Sequence, residues 1–178
     1  DTFSPVAKMT SVRLFISLAA TYAWDLHQLD IKNAFLHGDL QEEVYMEQPP
    51  EFVAQGGTGQ VCRLRKALYG LKQSPRAWFG KFSKAVEEFG LQKCKSDHFV
   101  FYRNSAAGIV LLIVYVDDII IIGSDNMGVS SVKSFLYNRF HTKDLSMLKY
   151  FLGVEIMRSK QGIFLCQRKY VLDLLSET

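Results

Sequence analysis

Ile109-Val-Leu-Leu-Ile-Val-Tyr-Val-Asp-Asp-Ile-Ile-Ile-Ile-Gly123 consists of two apolar runs with a pair of acids between them. Runs so rich in β-branched residues, with no polar alternation, imply strands buried on both faces or nearly so. Ile109 to Val116 and Ile119 to Ile122 are separated only by Asp117–Asp118, which reads as a hairpin with both acids at its tip. Two carboxylates set between buried strands cost on the order of several kcal/mol in desolvation and mutual repulsion unless cations compensate. An Asp-Asp turn open to solvent satisfies the same sequence. So does a divalent cation, because Mg²⁺ takes carboxylates together with phosphate oxygens and keeps some of its waters.

Adjacent residues of a strand point to opposite faces, so one strand rarely supplies both carboxylates of a metal pair. A third acid from elsewhere is needed. Asp30 is the best placed, because it ends the short apolar strand His27 to Ile31 and precedes the turn Asn33-Ala34-Phe35. Asp25, Asp39, Asp97 and Asp125 sit in polar, loop-like contexts and are weaker candidates. Two metals bridged by carboxylates from two adjacent strands would clamp the attacking and leaving oxygens of a phosphoryl transfer.

Further out, Val12, Phe15, Ile16, Ala19 and Ala20 recur at helical spacing within Met9 to Tyr22, with Thr10 or Ser11 as the expected cap. Val44–Met46 and Val61–Leu64 read as strands around a loop holding Pro49, Pro50, Gly56, Gly57 and Gly59. Ser74–Pro75 opens the clearest helix, with Ser as cap, Trp78, Phe82, Val86 and Phe89 as its buried stripe and Gly90 as its stop. Phe99 to Tyr102 pairs with Ile109 to Val116 across Asn104–Gly108, and Val129 to Phe140 is helical. Tyr150 to Met157 and Ile163 to Cys166 make another hairpin across Ser159–Gly162, and Lys169 to Leu175 starts a helix. Strands and helices mix without strict βαβ spacing, so the fold class is α+β with an antiparallel sheet.

The 178 residues are 48% hydrophobic and 22% charged, enough for a core and unlike a disordered tail. Cys62, Cys94 and Cys166 are far apart and form no CxxC, which excludes a disulfide scaffold or a cysteine zinc site and fits a reducing compartment. No targeting signal opens the chain, and the longest apolar run is under half a membrane span, so no membrane partner is expected. A start at Asp1 rather than Met suggests a piece of something longer. The net charge of +3 is mild, but its distribution is not. Arg63, Arg65, Lys66, Lys72, Arg76, Lys81 and Lys84 follow one another without an acid, interleaved with Tyr69, Trp78, Phe79 and Phe82. That mixture suits phosphates and stacked bases, and equally a solvated helix face.

Asp30-Ile-Lys-Asn-Ala-Phe-Leu-His-Gly-Asp-Leu40, Leu68-Tyr-Gly-Leu-Lys-Gln-Ser-Pro-Arg-Ala-Trp78 and Tyr115-Val-Asp-Asp118, in this order, resemble the reverse transcriptase of copia-type LTR retrotransposons. Thr2-Phe-Ser-Pro-Val-Ala-Lys8 and Tyr150-Phe-Leu-Gly-Val-Glu-Ile156 look like the same family's flanking segments, and the wording is most like plant elements. The resemblance implies a right-hand polymerase: a palm of antiparallel sheet with helices packed on one face, part of the fingers, and from about residue 150 a primer-grip hairpin and the start of a thumb. It implies two Mg²⁺, with Mn²⁺ as a substitute, held by Asp30, Asp117 and the Ile31 carbonyl, with Asp118 in support. The amides of Asn33 and Ala34 would meet the triphosphate, and Phe35 would bar a ribose 2′-OH. Tyr69 and Gly70 would lie beside the incoming nucleotide. Lys72, Ser74, Pro75, Arg76 and Tyr115 would face template or primer, and Tyr150, Phe151, Leu152 and Gly153 would grip the primer. Lys143 falls near a lysine that protonates leaving pyrophosphate.

The implied partners are an RNA or DNA template, a primer, dNTPs, and the integrase and RNase H of a Pol polyprotein, in a cytoplasmic virus-like particle. Departures from the family's pattern include absent basic finger strands and Ser146 where glycine is commoner. A truncated relic that binds nucleic acid without extending primers is the alternative. A palm-type cyclase or a metal-dependent nuclease fits less well, because neither explains the segment Leu68 to Trp78.

Overall fold

A computed structural model describes residues 6–52 and 59–177; residues 2–5 of the Thr-Phe-Ser-Pro segment, and Gly56 and Gly57 of the loop, lie outside them. In chain order the elements are α1 (Met9–Thr21), β1 (His27–Ile31), a 3-10 turn (Ala34–His37), β2 (Tyr45–Glu47), a second 3-10 turn (Pro50–Phe52), β3 (Val61–Arg63) and α2 (Ser74–Glu88). There follow β4 (Gln92–Lys93), β5 (Val100–Ser105), β6 (Gly108–Tyr115), β7 (Asp118–Gly123), α3 (Asn126–Phe140), β8 (Thr142–Met147), β9 (Tyr150–Phe151), β10 (Val154–Ser159), β11 (Gly162–Cys166) and α4 (Arg168–Glu177). The main sheet has the order β4-β5-β6-β7-β1-β8, antiparallel throughout; β11-β10-β9 form a second sheet and β2-β3 a small ribbon. No described helix is long and apolar enough to cross a membrane.

The β6–β7 hairpin explains why its sequence lacks alternation. Leu112, Val114, Ile119 and Ile121 join Leu29 and Ile31 under α2 and α3, packed against Trp78, Phe82, Val132 and Phe140. Ile113, Ile120 and Ile122 point the other way, onto Phe15 and Ile16 of α1 and onto Phe151 and Ile156 of the second sheet. Each fully buried isoleucine contributes roughly 1.5–3 kcal/mol of apolar transfer. The expectation of helices on one face is therefore corrected: α2 and α3 cover one side of the sheet, and α1 with the second sheet covers the other. A single-sided sheet would leave three isoleucines in water. The tip is corrected too. The turn is Val116–Asp117, and Asp118 is already in the ladder opposite Tyr115.

Helix starts differ from the local reading because their hydroxyls bond elsewhere. The Ser11 hydroxyl donates 2.6 Å to Asp97 Oδ2, which also accepts from the Lys8 amide at 2.9 Å, while Asp97 Oδ1 accepts from the Phe99 amide at 3.1 Å. Neither Thr10 nor Ser11 caps α1. Ser74 is buried, and its hydroxyl donates 2.6 Å to the Leu68 carbonyl instead of capping α2. Asp125 caps α3 through the Gly128 amide at 2.7 Å. Asp97 and Asp125, expected in polar loops, are thus buried structural acids. The end of α2 follows the expectation: Gly90 takes φ 100°, its amide donates to Glu87 and the Leu91 amide to Val86, the paired bonds of a Schellman close.

The run Tyr150 to Met157 is not one strand. Leu152 and Gly153, at φ 50° and 80°, form a two-residue turn between β9 and β10. β8 pairs β1 with a register shift at Gln28/Leu29, and nothing in its polar sequence had marked it as a strand.

Candidate active site

β1 lies between β7 and β8, and this fixes the neighbours of Asp30. Asp30 stands opposite Asp118 on one side and opposite Lys143 on the other. The Ile31 amide donates 2.8 Å to the Asp117 carbonyl. Alternation then makes Asp30–Asp118 the closely spaced kind of antiparallel pair, with Cα atoms about 4.5 Å apart and side chains on one face. The three acids expected to act together are therefore brought to one corner of the sheet, two by register and one by the turn.

The electrostatics of this corner are unfavourable as they stand. The carboxyl of Asp117 is held above its ordinary range, first by burial; the Tyr69 hydroxyl pulls it down, and the charges of Asp30 and Asp118 push it up. Asp118 is likewise raised by burial, eased by the Gln28 amide and raised by Asp30. Gln28 Nε2 donates 3.0 Å to Asp118 Oδ1, and the Tyr69 hydroxyl approaches Asp117 Oδ2 at 3.4 Å. Asp117 Oδ1 is buried with no hydrogen-bond partner among the described residues. A buried carboxylate oxygen left so costs about 1–3 kcal/mol or more.

That orphan oxygen, with the charges of two further carboxylates acting on it, is the donor chemistry of a hard divalent cation. The residues fit one in kind. Among the described residues no group of three His, Cys, Asp or Glu side chains is arranged to hold a metal, so the expected three-carboxylate cluster is not ready-made. Asp118 and Asp117 each accept instead from a neutral donor, Gln28 and Tyr69.

Around the acids, Asn33 adopts φ 55° and opens the 3-10 turn in which Ala34 is buried. The Phe35 ring packs on Tyr69 at 4.6 Å between centroids. The Tyr69 phenol is raised by burial and then by Asp117, with the Phe35 and Ala34 amides acting in the opposite sense, so its oxygen sits among the groups expected to receive a triphosphate. Gly70 follows at φ 90°. Tyr115 meets Phe151 edge-on at 6.0 Å, which sets the β9–β10 turn of Leu152 and Gly153 against the acid hairpin. Tyr150 carries Lys169 over its ring at 5.1 Å. Lys143 is exposed. Ser74 is buried at the head of α2, its hydroxyl bonded to the Leu68 carbonyl.

Of the basic block, Arg63 pairs with Glu43, Lys66 and Lys81 with Asp39, and Lys84 loosely with Glu88. Lys72, just before α2, and Arg76, in its first turn, are exposed and, with Arg65, hold no ion pair among the described residues. Gln28 carries no mark of its own in the sequence beyond standing two residues before Asp30, on the same face of the strand.

The family described as "Reverse transcriptase (RNA-dependent DNA polymerase)" matches residues 1–178. The chain belongs to this family. It is 46% identical over 178 residues to the Retrovirus-related Pol polyprotein from transposon RE2 of Arabidopsis thaliana, covering all of the chain and 12% of that protein. Against the Pol polyprotein from transposon TNT 1-94 of Nicotiana tabacum the identity is 43%, covering 98% of the chain and 13% of the relative. The Transposon Ty1-H Gag-Pol polyprotein of Saccharomyces cerevisiae is 31% identical over 169 residues, covering 88% of the chain and 9% of the relative. The chain thus spans about an eighth of the plant relatives' length. No solved structure matches it. The mixed fold with a large antiparallel sheet agrees with a reverse transcriptase domain, and the plant Pol polyproteins agree with the copia-type motifs.

Proposed function

We propose that this chain is the catalytic core of an RNA-directed DNA polymerase that adds dNTPs to a primer 3′-OH. The observation that carries the reading is the register of Asp30 against Asp118, with a buried, unpartnered Asp117 oxygen at the same corner. Asp30, Asp117 and the Ile31 carbonyl would hold two Mg²⁺, or Mn²⁺ in their place, with Asp118 kept in support by Gln28. Bound there, the ions would ease deprotonation of the attacking hydroxyl and offset phosphate charge. The primer 3′-oxygen attacks the α-phosphorus, a new P–O bond forms, and pyrophosphate leaves with the electron pair of the broken bond. The amides of Asn33 and Ala34 receive the triphosphate, Tyr69 and Gly70 flank the base and sugar, and Phe35 occupies the space a 2′-OH would need. Lys143, beside Asp30, supplies a proton toward pyrophosphate. Lys72, Pro75 and Arg76 face the template, and Tyr115 with Tyr150 to Gly153 aims the primer end.

In the full-length Pol polyprotein, Asp117→Asn should reduce primer extension by about three orders of magnitude or more while primer–template binding persists. Extension retained by that variant would refute the assignment. Phe35→Val should admit ribonucleotides, and unchanged sugar discrimination would remove Phe35 from the gate. A nucleic-acid binder that does not extend is the competing reading; exposed Lys72 and Arg76 serve it equally, and primer extension with Mg²⁺ or Mn²⁺ separates the two.

A further inference from the structure

Trp78 is 2% exposed, and its indole N–H donates 3.0 Å to the carbonyl of Val116. Val116 forms the tip of the acid hairpin with φ 56°. A β-branched residue resists the left-handed region, so something outside the turn must hold it there. The Trp78 ring is itself immobilised, edge-on to Phe140 at 5.2 Å and 5.4 Å from Phe82. Its backbone touches the other acid-bearing segment as well. Gly38, which closes the turn following Asp30, lies so near that a Cβ there would come within 2.8 Å of the Trp78 nitrogen. One residue fixed in α2 thus contacts both the Asp30 segment and the Asp117 turn, although it is 38 residues from the latter.

We propose that Trp78 is a positioning residue of the site: its N–H pins the Val116 carbonyl and so holds the strained turn that aims the Asp117 carboxylate. This rests on the polymerase reading above. Trp78 itself touches no reacting atom. A buried tryptophan that only fills space would affect stability alone, whereas pinning couples it to Val116. Glycine enters the left-handed region freely, so at position 116 it should loosen that coupling.

The test uses the full-length Pol polyprotein. Trp78→Phe keeps an aromatic ring in the core but loses the donor together with the second ring, and should lower kcat for primer extension about ten-fold, the value of one hydrogen bond, with dNTP KM and primer–template affinity within about two-fold. Mn²⁺ affinity, read by electron paramagnetic resonance without turnover, should weaken in step. Added to Val116→Gly, the same change should cost under about three-fold in kcat. If Trp78→Phe fails to fold, benzothienylalanine replacing Trp78 keeps the bicyclic shape without an N–H. An unchanged kcat and Mn²⁺ affinity, or an equal loss in the Val116→Gly background, would overturn the proposal. Asp117→Asn run alongside separates the causes: extension retained there removes the polymerase reading, while an inactive Asp117→Asn beside a normal Trp78→Phe removes only the pinning role.

Discussion

Asp97 and Asp117 are both withdrawn from water, and the fold treats them in opposite ways. At Asp97 burial pushes the carboxyl up, yet the Ser11 hydroxyl and the Lys8 and Phe99 amides outweigh it and hold it below its ordinary range. At Asp117 burial pushes in the same direction, one tyrosine hydroxyl answers it, and two neighbouring carboxylates add to the push. Asp97 ties the start of α1 to the turn before β5 with every oxygen satisfied. Asp117 leaves one oxygen unmet among the described residues. Burial alone therefore says little about what an acid is for; the donors that the protein supplies or withholds say much more.

The contrast can be broken at either end. Asp97→Ala strands three donors and should cost about 2–4 kcal/mol. That corresponds to roughly 4–16 °C of melting temperature for a chain of this size. Calorimetry on the chain measures it; a loss below about 1 kcal/mol would mean that Asp97 is not the support described. Magnesium should act at the other end, stabilising the parent by about 2.7 kcal/mol at a hundred times its Kd and so raising its melting temperature. Asp117→Asn should largely lack that rise. An equal response of both would detach Asp117 from the ion.

A smaller effect follows pH. Because the folded Asp97 carboxyl is depressed, the unfolded chain binds its proton more readily. Its stabilisation is complete above the ordinary carboxylate range and drains away as pH falls below about 4. The stability gap between the parent and Asp97→Asn should therefore close on acidification, and a gap that widens would reverse the sign of the argument. Smallest is Gln28→Leu, which takes a side-chain donor from Asp118 and should cost about 1 kcal/mol, read by urea titration.

Much of this was legible in the sequence where one segment carries its own signal. The acid hairpin, β1, α2 and α3 follow from unbroken or periodic apolar runs, and Asp30 follows from the strand it ends. What was hidden depends on partners far along the chain. β8 has the sequence Thr-Lys-Asp-Leu-Ser-Met and is mostly exposed, so an edge strand that uses its backbone left no apolar pattern to find. Ser11 looked like a cap because nothing local reveals Asp97, 86 residues away. Trp78 read as helix core, which it is; its N–H has a second task only because Val116 arrives beside it. The break at Leu152 could be read only in part, since Gly153 signals a turn but leucine at positive φ does not.

Coverage of the main sheet on both sides has a consequence for how such a chain can diverge. The spacing of Asp30 from Asp118 is set by strand registration inside a sealed slab, like teeth cut in one comb, and owes nothing to the outlying ribbons. Substitutions that accumulate at the rim leave that spacing intact, whereas a one-residue slip between β1 and β7 would turn Asp30 into the greasy interior and end the chemistry at a stroke.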